Sequence, residues 1–207
     1  MTVIYPEATP VQGNTKLKAV LTIATLESPS LASEIDAASS LDVSCFIRDW
    51  NPEINSNTGN APSRVCTTVQ LPVEGNTQFN AIEIRYVYDP QGDDTTDDNK
   101  AKALLVRGTE FYMAVRKGLD SRNTAFAVGD RVEIWRFRAG RQNKVRSGTD
   151  EFSEYEISQQ LFPLTEPVDG VAFDVVIPSL PGYGFSGQPT RPGMNLSAVA
   201  PLWAELM

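Results

Sequence analysis

The chain contains no histidine in 207 residues. This removes the side chain that most often serves as general base near neutral pH, and with it the imidazole ligand of transition-metal sites. Cysteine is nearly missing as well, with only Cys45 and Cys66. Two thiols do not make a disulfide framework, and without imidazole they rarely close a tetrahedral metal site. Both lie in apolar, strand-like runs and are expected to be buried free thiols. No run of 18 apolar residues occurs, so no membrane-spanning helix is expected. The opening stretch MTVIYPEATPVQG has no basic region ahead of an apolar one, so a secretory signal is not expected. Positive charge is in deficit: 18 Lys and Arg against 26 Asp and Glu leave a net charge of −8. That argues against avid nucleic-acid binding, which depends on neutralising phosphates.

What is present is enough for a core. Apolar residues make up 41% of the chain, and 14 Gly with 14 Pro imply many turns. The length fits one ordinary domain with room for an appendage. Charge is distributed unevenly. Asp89, Asp93, Asp94, Asp97 and Asp98 crowd one stretch, while Arg131, Arg136, Arg138, Arg141, Lys144 and Arg146 crowd another. Such asymmetry suits surfaces that meet other copies of the same chain, although solvated faces are the commoner explanation.

Periodicity predicts mostly strands. Residues 1–15 read as an extended arm. Leu17–Thr25 favours alternation and β-branched residues. Ser30–Ala37 reads as a short helical turn with Ser30 as cap. Leu41–Arg48 places Leu41, Val43, Cys45 and Ile47 on one face of a strand. Asn51–Ser63 consists almost wholly of turn residues and predicts a long loop. Arg64–Leu71 and Ala81–Tyr88 read as strands joined by LPVEGNTQF. Asn99–Arg107 reads as a short helix capped by Asp97 or Asp98. Thr109–Arg116 and Arg131–Arg138 resume the β pattern. In the latter, Val132, Ile134, Arg136 and Arg138 oppose Arg131, Glu133, Trp135 and Phe137. Glu151–Leu161 adds an alternating strand through Phe152, Tyr155 and Ile157. About seven strands and one or two helices make a mainly β fold, a β-sandwich or closed barrel with a flanking helix.

The chemistry-bearing patterns are sparse. The aspartate run offers oxygen ligands for calcium or magnesium but lacks the D-x-D-x-D-G-x5-E order of a calcium loop, so it reads as a solvated acidic loop. No P-loop and no G-x-S-x-G elbow occurs, and the pair Gly182 and Gly184 lacks the third glycine of a dinucleotide fingerprint. No catalytic, metal-binding or cofactor-binding residue is assigned.

Two resemblances carry the reading further. LDVSCFIR at 41–48, RVCTTVQL at 64–71, IRYVYDPQG at 84–92, NKAKALLVRGTEFYMAVRKGLDS at 99–121, FAVGDRVEIWRFRAGRQNK at 126–144 and SQQLFPLTEPV at 158–168 together resemble the major tail, or tail tube, proteins of long-tailed phages of actinobacteria. The likeness spans residues 1–171 and is strongest at YDPQ followed by NKA. It implies a barrel-like β subunit with a helix packed outside, six copies to a ring, and rings stacked into a tube that conducts DNA without binding it. It also implies other tail proteins as partners, location in the virion tail and assembly in the host cytoplasm, without cofactor or catalysis. The acidic Asp89, Asp93, Asp94, Asp97 and Asp98 and the basic Arg136, Arg138 and Arg141 are candidate inter-subunit contacts on this reading. The 51–63 loop and the N-terminal arm are candidates for reaching the next ring.

FDVVIPSLPGYGFS at 173–186 resembles a strand and loop of epoxide-hydrolase-type α/β-hydrolases. Residues 172–207 are therefore expected to be a hydrolase-derived appendage of strand, Pro/Gly loop and short helix from Ser197. Those enzymes use an aspartate nucleophile and a histidine; the family's oxyanion segment would fall where LFPLTEPVDG stands, and its catalytic residues would follow Met207. No catalytic residue carries over. A hydrolase remnant without activity is the alternative reading of the chain.

Overall fold

Alternation becomes a curled sheet in the computed structural model, which describes residues 9–61, 66, 72–146 and 153–174. Contacts divide the chain into Met1–Phe173 and Asp174–Met207; the expected strand, loop and helix of 174–207 lie outside the described residues beyond position 174. The described strands are β1 (Thr15–Val20), β2 (Leu41–Asp42), β3 (Ile54–Asn60), β4 (Pro72–Phe79), β5 (Ile82–Val87), β6 (Glu110–Lys117), β7 (Arg131–Arg146), β8 (Tyr155–Pro163) and β9 (Val168–Val171), with helix α1 (Lys100–Leu104) between β5 and β6. The main sheet runs β2-β1-β6-β7-β8-β5, and β9 pairs with the start of β7. All pairings are antiparallel. Among the described residues the fold is mainly β, with the short helix α1 and a five-residue helical turn, Leu31–Ile35.

Cross-strand register assigns each side chain to a face. Phe111 faces Phe137, Met113 faces Trp135, Leu17 faces Val115, Ala139 faces Leu161, and Tyr86 faces Ile157. These residues form the main core together with Ala101 and Leu105 at α1. The alternation expected in Arg131–Arg138 holds, but both faces find cover. Val132 and Ile134 belong to a second, smaller core with Val20, Ile23, Ile35, Phe126 and Ala172.

The segment after β2 curls the sheet. Val43 N–H donates to Leu17 O (2.9 Å), Arg48 N–H to Arg85 O (3.0 Å), and Val87 N–H to Phe46 O (3.3 Å). Residues 43–48 thus reach from β1, near one margin of the sheet, to β5 at the other, giving a half-barrel. The expected strand Leu41–Arg48 stops at Asp42 for a local reason. Asp42 Oδ1 accepts from Ser44 N–H (3.0 Å) and Ser44 Oγ (2.6 Å), an Asx turn that competes with strand pairing. The turn points Val43 and Ile47 inward and leaves Cys45 exposed. Cys66 is exposed as well, so the expectation of two buried thiols is corrected.

A further correction concerns 51–79. The expected loop contains β3, and the expected connector LPVEGNTQF contains β4; the two pair as a separate hairpin. Most of the expected strand 64–71 lies outside the described residues, and Cys66 sits in a turn. From Pro72 to Gln78 every residue of β4 is exposed. A ribbon wet on both faces needs no apolar alternation, so periodicity could not reveal it.

Helix α1 is shorter than expected, and neither Asp97 nor Asp98 caps it. A 3-10 turn, Asp97–Asn99, precedes it, and neither turn nor helix has a side-chain N-cap bond. Asn99 is instead fully buried. Its amide donates to Asp89 O, Gly92 O and Asp93 O at 2.9–3.0 Å and accepts from Asp89 N–H at 3.1 Å. Strand β7 extends eight residues beyond the expected Arg138 and carries a register shift between Ala139 and Gln142. A Cβ on Gly140 would lie 2.6 Å from Gln160 O, so the irregularity depends on the missing side chain.

Candidate functional site

The acidic loop is built from the inside. Asn99 holds the carbonyls of Asp89, Gly92 and Asp93, and the carboxylates are left to organise the surface. Asp89 Oδ1 accepts from Gln91 N–H (2.9 Å), and Asp93 Oδ1 from Thr95 N–H (2.9 Å) and Thr95 Oγ1 (2.5 Å). Those bonds from Thr95, its hydroxyl first, hold the Asp93 carboxyl below its usual range. Asp94 pairs with Lys102 at 2.7 Å, and Asp97 with Lys100 at 2.5 Å. Asp98 is exposed and has no ion pair among the described residues. No group of three or more potential metal-ligating side chains occurs among the described residues.

The basic candidates separate from one another. Arg136 and Arg138 stand on the sheet face opposite the main core and converge on Glu110, at 2.9 Å and 2.6 Å. Arg136 also lies over the Tyr112 ring, 5.9 Å from its centroid. Arg141 is exposed, next to the irregularity in β7, with no ion pair among the described residues. The structure therefore does not join the basic trio into one patch, and among the described residues none of the three forms an ion pair with the acidic loop.

The same open face continues across β8 and β5. Arg85 Nε donates to Glu83 Oε1 (3.1 Å), and Ser158 Oγ donates to the same oxygen (3.0 Å). Glu83 opposes Gln160, and Arg138 opposes the exposed Phe162. This is a polar surface whose cations are compensated by carboxylates on the same subunit. The hydrogen bonds from Arg138 and then Arg136 hold the Glu110 carboxyl below its usual 4.5. Because the folded state lowers this pKa, the stability it contributes is complete above about pH 4.5 and is lost as pH falls through the lowered value. Acid titration of native chain and Glu110→Gln is expected to show the native chain losing stability more steeply below that point. Identical profiles would mean that the Arg138–Glu110–Arg136 group does not persist in solution.

Sequence reasoning missed Glu110 and Asn99. Asn99 stands in a helix-like NKAKALL run, and Glu110 is an ordinary strand residue until register sets it opposite Arg138.

Comparison with known proteins gives this geometry its context. The family model for "Phage tail tube protein" matches residues 2–173. The chain belongs to the phage tail tube protein family. It is a structural protein of the bacteriophage tail, a major tail protein, and the curled β sheet with one short helix is consistent with that assignment. A second similarity is short: 36 residues, 17% of this chain, are 58% identical to "Putative epoxide hydrolase" of Stigmatella aurantiaca (strain DW4/3-1). The chain covers only 8% of that protein's length, and so short a match does not establish an enzyme. Among the described residues, no helix is long and apolar enough to cross a membrane.

Proposed function

We propose that the chain self-assembles as rings of six, that the rings stack into a tube with other tail proteins, and that DNA passes through the tube without specific binding. Assembly takes place in the host cytoplasm. The family match over 2–173 is the observation that carries this reading. Three physical features support it. A curled sheet can continue into neighbouring copies, which removes open strand edges. The wet β3–β4 hairpin replaces the 51–63 loop as the element that reaches the next ring. The open sheet face suits a wall facing DNA, because its arginines are matched by Glu110 and Glu83 and the chain's net charge of −8 repels phosphates.

The tail tube domain on this reading runs to Phe173. Ala172 is fully buried in the second core, and Phe173 bridges Ser30, so we place the boundary two residues after Val171. The remainder, to Met207, is the hydrolase-like appendage, and the short hydrolase match is assigned to it. The epoxide-hydrolase reading of the chain as a whole is not favoured. Negative-stain electron microscopy of the purified chain, beside a form ending at Phe173, tests the proposal. Rings or tubes are expected from at least one of them. Monodisperse monomers from both, at every salt concentration, would overturn it.

A further inference from the structure

The antiparallel order gives the subunit two chemically different ends. Strand β6 runs from the α1 side towards residue 117, and β7 returns from 131; β8 and β5 continue the alternation. The acidic loop 89–99, which follows β5 and leads through α1 to β6, therefore stands at one end of the sheet. The connector 118–130, which joins β6 to β7, stands at the opposite end. The first end exposes Asp93 and Asp98, and the second exposes Arg122 and Arg131. None of these four has an ion pair among the described residues.

The connector has almost no regular structure, yet it is held firmly. Arg116 is 1% exposed. Its guanidinium donates to Ala125 O, to Thr124 O (2.9 Å), to Asp120 O (3.1 Å) and to Asp130 Oδ2 (3.0 Å). It also lies 5.2 Å from the centroid of the Phe126 ring, which is buried in the second core. Lys16 Nζ donates to Ser121 O at 2.9 Å. Asp120 gathers Arg122 N–H, Asn123 N–H and the Asn123 side chain. Gly118 and Gly129 bracket the connector with φ of 87° and 92°, which a Cβ would disfavour. The result presents Leu119 (46% exposed), Val128 (61% exposed) and Arg122 on a preset scaffold, so that little ordering entropy remains to be lost on association.

We propose that connector 118–130 is a docking surface for the 89–99 end of a second copy, with Arg122 and Arg131 meeting Asp93 and Asp98, and that Arg116 is the positioning residue that presets it. The inference rests on the assembly reading above and adds the residues of the head-to-tail contact. Such a contact is heterologous, one surface against a different one, and propagates along an axis.

Charge reversal in the full-length chain tests it. Arg122→Glu with Arg131→Glu is expected to raise the concentration needed for assembly about tenfold, and Asp93→Lys with Asp98→Lys to do the same. All four together are expected to restore assembly to within about threefold of the native chain, because complementary pairs are re-formed in reverse. Native-like assembly of either pair, or no recovery in the fourfold variant, would overturn the proposal. If neither the full-length chain nor the form ending at Phe173 ever assembles, the reading beneath it has failed instead. For Arg116→Met, hydrogen exchange of amides 120–127 is expected to rise about tenfold or more in the monomer, with weakened assembly. Faster exchange with unchanged assembly would overturn the positioning role, and if this variant does not fold, the surface charge variants still decide the docking surface.

Discussion

Replacing Phe137 with alanine is expected to lower the unfolding free energy by about 4 kcal/mol, the range for truncating a buried aromatic ring. Phe137 is fully buried on the middle strand of the curled sheet. It stacks on Trp135 at 5.8 Å with planes 4° apart, meets Trp50 edge-on at 5.8 Å, and lies 6.0 Å from Phe111. These rings come from β6, β7 and the segment beyond the 43–48 crossing, so the cavity would open where the sheet is curled by its covering segment. In a chain of this size such a loss corresponds to a fall in Tm of about 10 °C. Calorimetry of the unassembled chain measures it. A change under about 1 kcal/mol would mean that the ring cluster is not packed as described.

The second large effect is expected from Gln159→Leu. Gln159 is fully buried; its amide donates to Leu105 O (2.7 Å) and Gly140 O (3.0 Å), and its carbonyl accepts from Tyr86 Oη (2.9 Å). Gln142 donates to Tyr86 Oη (3.0 Å), Lys102 O (2.8 Å) and Leu105 O (3.1 Å). Together these bonds fasten the end of α1 to the irregular part of β7. Burial pushes the Tyr86 phenol above its ordinary range, so it stays a neutral donor. Leucine would leave Tyr86 Oη and Gly140 O without these partners, and a loss of about 3 kcal/mol is expected. In a cycle with Tyr86→Phe, the double variant should be more stable than additivity predicts by about 1 kcal/mol, since one orphaned group is removed. Strict additivity would show that the two side chains are not coupled.

Legibility followed burial. Ile82, Ile84 and Tyr86 are buried while Glu83 and Arg85 are exposed, so half-buried β5 showed its period of two. The opposed sets in Arg131–Phe137 were equally readable. Ser30 was legible as the cap of the helical turn Leu31–Ile35, and its side chain does accept from Ser33 N–H. The β3–β4 hairpin was not, because neither face is dry. Short β9 was missed as well; it is four residues long and pairs with residues 131–134, far away in sequence.

The candidate contacts divide in the same way. Composition and order alone establish a histidine-free, acidic, strand-rich chain with opposite charges in separate stretches, and local alternation locates most strands. Which charges remain available is a matter of register and chain reversal. Glu110 occupies Arg136 and Arg138 because β6 and β7 pair in one particular alignment, while Lys100 and Lys102 take Asp97 and Asp94. Arg116, an unremarkable strand residue in the sequence, becomes the anchor of the connector because Asp120, Thr124, Ala125 and Asp130 fold back around it. Local periodicity reports which way a side chain faces; only the long-range pairing of strands determines what it meets there.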